Sequence, residues 1–407
     1  MKTDKKLVRQ ISIALLVALA FAFSACEQEN DDQEKRGDIV YKGTLMALNF
    51  GMIESQIENF DIPEAFEFQY GVTVNRIHYL TEDENGELHK ASGALYAPVD
   101  ANTFMPVTEA FPLLSIQHGT QTHRDSVASM GLMNAPEAIL GVIAGMSGYL
   151  TVIPDYMGLG VSERMHPYIH AELTANVVID MLRAARNYCD EGNISLSDKL
   201  LLTGYSEGGY ATLAAQKYIE LYYDDEFSIT GSVPMAGPYN LEWSTDYLLR
   251  KERFNNAYYF GYLVAAYNDI YAWDMLAEIF KSPYAQRIPT LFDGSKGGKY
   301  INSQLTPVLA DLFNADFLSS YLGDGQSEMK AALRENSLLN FTPQAPILLI
   351  HSNGDQDVPY ENSVQAKEYF ESKGADVELI SIAGLTHFEA ALVAYPAALV
   401  WLKTLLD

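Results

Sequence analysis

The sequence predicts an α/β fold with a mostly parallel central sheet that is covered by helices on both faces. Short, continuous apolar runs alternate along the chain with longer segments that have helical periodicity. Strands that are buried on both faces of a parallel sheet have this composition. One apolar run, at 200–203, leads directly into Gly204-Tyr-Ser-Glu-Gly208 and then into a predicted helix. The alternation stops at residue 238 and resumes near residue 342, which indicates a segment inserted between two strands of one sheet.

The first part of the predicted core extends over residues 66–237. Segments 68–80 and 88–97 flank an Asn-Gly turn and predict a β-hairpin. Further buried strands are predicted at 112–117, 149–154, 199–203 and 229–236. Amphipathic or small-residue helices are predicted at 135–148, 172–189 and 209–223. The preceding segment 40–63 has mixed periodicity and predicts a helical or irregular N-terminal arm.

Residues 238–341 are rich in Tyr, Phe and Leu and predict a helical cap inserted over the sheet. The Gly-rich loop at 292–299 superficially suggests a phosphate cradle. It lacks the P-loop pattern, because Asp293 stands in place of the first Gly and Tyr300 in place of the Ser or Thr that would bind metal. The second part of the core, 342–407, predicts strands at 345–350 and 377–382 and helices at 361–372 and 388–406.

The charge balance argues against nucleic acid and anionic membrane surfaces as partners. Acidic residues number 53 and basic residues 27, for a formal net charge of −26. Such an excess repels polyanions. There are two cysteines, of which Cys189 is predicted to be a small packed side chain in a helix.

The N-terminus predicts an export signal over residues 1–25. A basic start, an apolar run of about a dozen residues and the small residues Ser24 and Ala25 are typical of a signal peptide. The ending Phe-Ser-Ala-Cys26 resembles the bacterial lipoprotein box, which implies that Cys26 is lipidated and anchors the protein at the outer membrane or cell surface. The following acidic stretch belongs to a predicted tether and arm over 26–65. Plain secretion and a membrane anchor are the alternatives.

Ser206 is the predicted nucleophile. Strand, Gly-x-Ser-x-Gly and helix in succession form the nucleophile elbow, in which two glycines allow a turn too tight for a Cβ atom. An ordinary Gly-rich turn is the alternative interpretation of the motif. A serine hydroxyl needs a base, and the base needs an orienting carboxylate.

The required partners follow in the chain order Ser, Asp, His. His351-Ser-Asn-Gly-Asp355-Gln-Asp357-Val-Pro follows one predicted strand, and Gly-Leu-Thr-His387 follows the next. In these motifs residues 66–407 resemble the α/β-hydrolase superfamily, within its lipase and esterase branch, and the inserted segment matches least. The resemblance implies an α/β-hydrolase fold and selects Asp355 as the acid through its Asp-x-x-Val-Pro pattern, with Asp357 as the alternative, and His387 as the base.

The same resemblance suggests where an oxyanion would bind. The backbone N–H of Glu207, directly after the nucleophile, is one expected donor, and His118-Gly119-Thr120 resembles the family's His-Gly motif, so that Thr120 is the other. The candidate pocket residues are His118, Gly119, Tyr156 and Tyr205. His118 is expected to hold the loop rather than to perform chemistry.

These features predict a serine hydrolase that cleaves carboxylic esters, without a cofactor. No His-Glu-x-x-His or paired Cys/His spacing suggests a metal. A small ester, a lipid or an acyl group linked to a polysaccharide fits equally well, since the fold does not specify the substrate. Two alternatives stay open: a serine peptidase of the prolyl aminopeptidase type, which acidic cap residues would favour, and a catalytically silent surface binding protein.

Overall fold

The computed structural model describes residues 34–57 and 67–406. The predicted signal peptide, Cys26 and part of the predicted arm lie outside these ranges. None of the helices in the described ranges has both the length and the apolar character needed to cross a bilayer.

A nine-stranded sheet forms the centre of the molecule, in the order β1-β2-β3-β5-β4-β6-β7-β8-β9. The strands are β1 Ile39–Leu48, β2 Gly71–Glu82, β3 Leu88–Val99, β4 Phe111–Gln117, β5 Leu150–Pro154, β6 Leu196–Tyr205, β7 Gly231–Met235, β8 Ile347–Ser352 and β9 Val377–Ile382. The pairs β1–β2, β2–β3 and β3–β5 are antiparallel. All pairs from β5 to β9 are parallel. The prediction of a mostly parallel sheet is confirmed.

Six α-helices of the described ranges lie outside the inserted segment. They are α1 Phe50–Ile57, α2 Glu137–Met146, α3 Ala171–Gly192, α4 Glu207–Tyr222, α13 Glu361–Ser372 and α14 His387–Thr404. Successive strand residues pack into different cores: Leu202 belongs to the cluster that holds α3 and α4, whereas Leu201 belongs to the cluster that holds α2 and α14. Because adjacent side chains of a strand point to opposite faces, both faces of the sheet are covered, as predicted.

Eight short helices occupy the chain between β7 and β8. They are α5 Leu241–Leu249, α6 Tyr258–Ile270, α7 Leu276–Ile279, α8 Tyr284–Leu291, α9 Gly298–Ser303, α10 Leu309–Leu312, α11 Ala315–Leu322 and α12 Ser327–Glu335. Their buried aromatic side chains, such as Phe260 and Phe313, join the same apolar cluster as α3 and α4. The aromatic side chains of this segment therefore pack against one another and against the helices on one face of the sheet.

The N-terminal arm differs in part from the prediction of a helical or irregular segment: α1 is helical, but the part before it is a strand. Residues 39–48 form β1, which pairs with β2 at the edge of the sheet. Most of its side chains are half-buried or exposed, so an edge strand of this kind lacks the alternation between apolar and polar residues that marks a strand in the sequence. The elbow helix α4 also begins at Glu207, two residues before the predicted start.

Candidate active site

Ser206 lies in the sharp turn between β6 and α4. Its backbone has φ 63° and ψ −121°, a strained conformation for a residue with a side chain. A Cβ atom at Gly204 would lie 2.4 Å from the carbonyl oxygen of Gly208, and one at Gly208 would lie 2.0 Å from that of Gln117. The two glycines are therefore required by the close approach of the strand, the turn and the helix.

The side chains of Ser206, His387 and Asp355 form one continuous hydrogen-bonded chain. The Ser206 hydroxyl oxygen lies 2.8 Å from Nε2 of His387. Nδ1 of His387 lies 2.5 Å from Oδ2 of Asp355. All three residues are buried, and they come from the β6–α4 turn, the start of α14 and the loop after β8. Serine, imidazole and carboxylate are thus held at distances that permit proton transfer.

Asp355 accepts four hydrogen bonds. Burial by itself raises the pKa of this carboxyl group, but the hydrogen bonds from His351 and His387 and the charges of these rings outweigh burial and hold the pKa well below its usual value. The backbone N–H groups of Asp357 and Val358 donate to its other oxygen, at 2.8 and 3.0 Å. The carboxylate is therefore ionised and fixed in orientation.

The contact from His351 was not found by sequence analysis. Nε2 of His351 lies 3.2 Å from Oδ2 of Asp355, and Nδ1 lies 2.8 Å from the hydroxyl of Ser363. The only sequence signal is the position of a histidine at the end of a buried strand, four residues before the acid. A role for His351 becomes visible only when the loop after β8 folds back over it.

Asp357, the alternative acid, has a different partner. Its Oδ1 accepts a hydrogen bond of 2.8 Å from the side-chain amide of Asn256, in the inserted segment. Burial raises the pKa of Asp357, and the positive charge of a protonated His387 offsets part of this increase. Asp355, not Asp357, contacts the imidazole of His387.

The two backbone groups that are expected to bind an oxyanion flank the serine. Glu207 is the first residue of α4, and N–H groups in the first turn of a helix have no acceptor within the helix. Its side chain is buried and pairs with Nε2 of His166 at 2.6 Å. Among the described residues, the backbone N–H of Thr120 has no hydrogen-bond acceptor, whereas its hydroxyl lies 3.1 Å from that of Tyr168. Both donors are thus free to bind a ligand.

The candidate pocket residues divide into two pairs. Gly119 and Tyr205 line the cavity next to Ser206. His118 and Tyr156 are fully buried and do not line it. The two nitrogens of His118 lie 2.8 Å from the carbonyl oxygen of Gly119 and 3.1 Å from that of Asp155, and the Tyr156 hydroxyl donates to the His118 carbonyl. These contacts hold the loop that carries Gly119 and Thr120.

A largely apolar cavity of about 700 Å³ opens beside Ser206 and His387. Side chains of α2 and α14 form most of its wall, and α6 contributes Tyr258 and Tyr259. The apolar lining residues are Pro136, Leu140, Ile143, Phe388, Ala391, Leu392, Val393, Pro396 and Leu399. Phe388 and Leu392 are 66% and 73% exposed, so the apolar wall continues to the outer surface.

One group of three side chains in the described ranges has ligand atoms close enough to share a metal ion: Asp83, Glu87 and His89, within 4.8 Å of one another. The group lies at the β2–β3 turn and does not line the cavity. Oδ2 of Asp83 already accepts hydrogen bonds from Arg164 at 2.7 Å and His89 at 2.9 Å. Its negative charge is thus compensated without a metal.

Comparisons with known proteins show which family the chain resembles. The family model described as secretory lipase matches residues 129–407. The secreted triacylglycerol lipase LIP5 of Malassezia furfur is 24% identical over 281 residues, which are 65% of this chain and 66% of that lipase. The chain thus spans slightly less than two thirds of the length of this relative.

Two solved structures have the same fold. A putative hydrolase from Legionella pneumophila is 29% identical, with a TM-score of 0.82, over 90% of this chain and 98% of that one. The rice cell wall degrading esterase LipA from Xanthomonas oryzae is 27% identical, with a TM-score of 0.80, over 92% of this chain and 99% of that one. The chain therefore belongs to the secretory lipase family, a group of ester-cleaving hydrolases with the α/β-hydrolase fold.

Proposed function

We propose that the protein hydrolyses carboxylic esters through an acyl-enzyme on Ser206. The observation that carries this proposal is the continuous hydrogen-bonded chain from Ser206 through His387 to Asp355. The Ser206 oxygen attacks the ester carbonyl carbon while Nε2 of His387 accepts its proton. His387 returns this proton to the departing alcohol, and a water molecule then releases the acid by the same route in reverse.

Asp355 supports this cycle by keeping the proton of His387 on Nδ1, so that Nε2 is free to accept the serine proton. Its low pKa keeps it ionised while the imidazole becomes positively charged. The backbone N–H groups of Glu207 and Thr120 are the proposed donors to the oxyanion. Losing one such donor costs about 3 kcal/mol in other hydrolases, so the pair would supply a large share of the catalysis.

The cavity wall supports an apolar acyl group as part of the substrate. Side chains of α2 and α14 offer an aliphatic surface directly beside Ser206. Each CH₂ group transferred from water to such a surface contributes roughly 0.8 kcal/mol. We therefore infer a preference for acyl chains of several carbons over acetyl.

Turnover of p-nitrophenyl esters and labelling with a fluorophosphonate test the proposed activity. The intact protein is expected to cleave the esters and to take up one label, whereas Ser206→Ala loses both and keeps its circular dichroism spectrum. A labelled protein that turns over aminoacyl arylamides faster than esters would instead support a peptidase. Among the described residues, Glu137 of α2 is the one carboxylate that lines the cavity, and the inserted segment does not contribute the acidic cluster that a peptidase of this type would need there.

We further propose that the protein is exported and anchored through a lipid on Cys26. Its family and a secreted relative support export, and the sequence around Cys26 supports the anchor. Radiolabelled palmitate should be incorporated into the intact chain and not into Cys26→Ala. Equal incorporation in both proteins, or none in either, would contradict the anchor and leave the proposed hydrolysis unaffected.

A further inference from the structure

Two side chains that line the largely apolar cavity carry buried polar atoms whose hydrogen-bonding capacity is not fully used among the described residues. Glu137 begins α2 and is 6% exposed; its Oε1 accepts a hydrogen bond of 3.1 Å from the backbone N–H of Gly119. Its Oε2 is buried and has no hydrogen-bond partner among the described residues. Tyr395, on α14, is 8% exposed; its hydroxyl oxygen interacts with the backbone of Tyr205, but its proton has no acceptor among the described residues. Both residues line the cavity.

The two side chains are electrostatic neighbours. Burial raises the pKa of Tyr395 well above its usual value, and the negative charge of Glu137 raises this pKa further. A buried polar atom without a partner is strongly unfavourable, and native proteins nearly always satisfy such atoms. Because both side chains line one cavity, a polar group that enters from the cavity can supply the missing partners.

We propose that Glu137 and Tyr395 form a subsite for a hydroxyl group of the ester substrate. A hydroxyl group donates one hydrogen bond, which the Oε2 atom of Glu137 accepts, and it accepts one, which the Tyr395 hydroxyl donates. An ammonium group cannot accept a hydrogen bond from the Tyr395 hydroxyl. The free-energy cost of moving its charge from water into an apolar cavity also offsets most of its attraction to one carboxylate. The pair therefore matches a neutral hydroxyl group better than an amine.

The hydroxyl group belongs either to the acyl part or to the alcohol part of the substrate, and the chemistry of recognition is the same. Glu137 also holds Gly119, next to the proposed oxyanion donor Thr120. A substrate hydroxyl bound at Glu137 would thus be held close to the reacting carbonyl. This inference rests on the proposed ester hydrolysis at Ser206.

The test compares kcat/KM for pairs of esters that differ by hydroxyl groups. Glycerol monooctanoate against propyl octanoate tests the alcohol part, and p-nitrophenyl hydroxyoctanoates against p-nitrophenyl octanoate test the acyl part. We expect a preference of about tenfold or more for the hydroxylated ester in one of the two comparisons, because a site that binds a hydroxyl rejects the analogue that lacks it. The preference should fall about tenfold in Glu137→Gln and several-fold in Tyr395→Phe.

Tyr96→Phe is the matched control. Tyr96 is buried, its hydroxyl has no partner among the described residues, and the charge of Glu137 raises its pKa, but it does not line the cavity. Its substitution should leave the preference unchanged. A general loss of stability, or of the hydrogen bond to Gly119, lowers both rates of a pair and does not alter their ratio.

Three results would overturn the proposal. Equal kcat/KM values within both pairs would do so, as would a hydroxyl preference that survives in Glu137→Gln and in Tyr395→Phe. A preference for aminoacyl esters that depends on Glu137 would assign the subsite to an ammonium group instead. Failure of the intact protein to cleave every ester is a different result, because it would remove the hydrolytic activity on which the subsite depends.

Discussion

His351 donates to the same carboxylate oxygen of Asp355 that accepts the hydrogen bond of His387, with a distance of 3.2 Å from its Nε2 to Oδ2. The tautomer of His351 follows from its surroundings. Nε2 also lies 3.2 Å from the carbonyl oxygen of Val358, so it faces two acceptors and carries the proton. Nδ1 lies 2.8 Å from the Ser363 hydroxyl, which fixes the plane of the ring. His351 thus positions the carboxylate of the proposed acid through its Nε2.

We expect His351→Ala to lower kcat about tenfold, because a hydrogen bond to a charged group contributes about 1.5 kcal/mol or more. KM should change little, since His351 does not line the cavity. The loss of one donor raises the pKa of Asp355 and strengthens the interaction of its carboxylate with a protonated His387, so the acid limb of the kcat profile should move to higher pH. His351→Gln, which retains a donor, should restore part of kcat, and an unchanged profile in both variants would contradict this role.

Asp355 and Asp357 have different hydrogen-bond partners, and matched variants distinguish their roles. Asp355→Asn removes the negative charge that stabilises the His387 imidazolium and favours the wrong tautomer of the ring, so kcat should fall by about 10⁴. Asp357→Asn should lower kcat less than about tenfold, because its carboxylate contacts Asn256 rather than His387. Steady-state kinetics on one p-nitrophenyl ester suffice, and equal losses in the two variants would refute the assignment.

Acyl-chain selectivity should depend on the volume of the cavity. Ala391 lines it from α14, and Ala391→Trp would place an indole ring in the space proposed for the acyl chain. The chain length with the highest kcat/KM on p-nitrophenyl esters should shift to shorter acyl groups. Val400→Trp is the control on the same helix, because Val400 is exposed and does not line the cavity. A shift in both variants would indicate a general disturbance of α14.

The parts of the fold that local sequence predicts well are those with strict steric demands. Gly204 and Gly208 stand where a Cβ atom would collide with backbone, and this requirement marks the elbow in the sequence. Chain order likewise suggested Ser206, Asp355 and His387, of which His387 lies within hydrogen-bond distance of the other two. By contrast, β1 was not predicted, because the register of an edge strand against β2 leaves most of its side chains half-exposed.

The surroundings of the candidate site depend on contacts between distant elements. His166 meets Glu207 across 41 positions, and Glu137 reaches the loop at Gly119 from α2. Tyr395 faces the cavity only because α14 packs on the same side of the sheet as α2. No local periodicity or motif encodes such contacts, so sequence analysis named candidate reacting groups and the neighbouring Gly119 and Tyr205, but neither Glu137 nor Tyr395.

Acid stability should depend on His170, which precedes α3 and caps it. Its Nδ1 accepts a hydrogen bond of 3.4 Å from the backbone N–H of Leu173, which requires an unprotonated ring. Burial lowers the pKa of His170 to about 4, and the negative charge of Glu84 has a smaller effect in the opposite direction. The unfolded chain, with a pKa of about 6.5, binds the proton more readily, so stability is present above pH 6.5 and is lost as the pH falls towards 4.

This shift corresponds to about 2 kcal/mol less free energy of unfolding at pH 5 than at pH 7. His170→Asn keeps a neutral capping side chain and should be less sensitive to pH over this range. Urea unfolding of both proteins at pH 7 and pH 5 measures the difference. Buried carboxyl groups with raised pKa values, such as Asp180, act in the opposite direction in both proteins and cancel in the comparison. If both proteins lose the same stability between pH 7 and pH 5, His170 is not the acid-sensitive group.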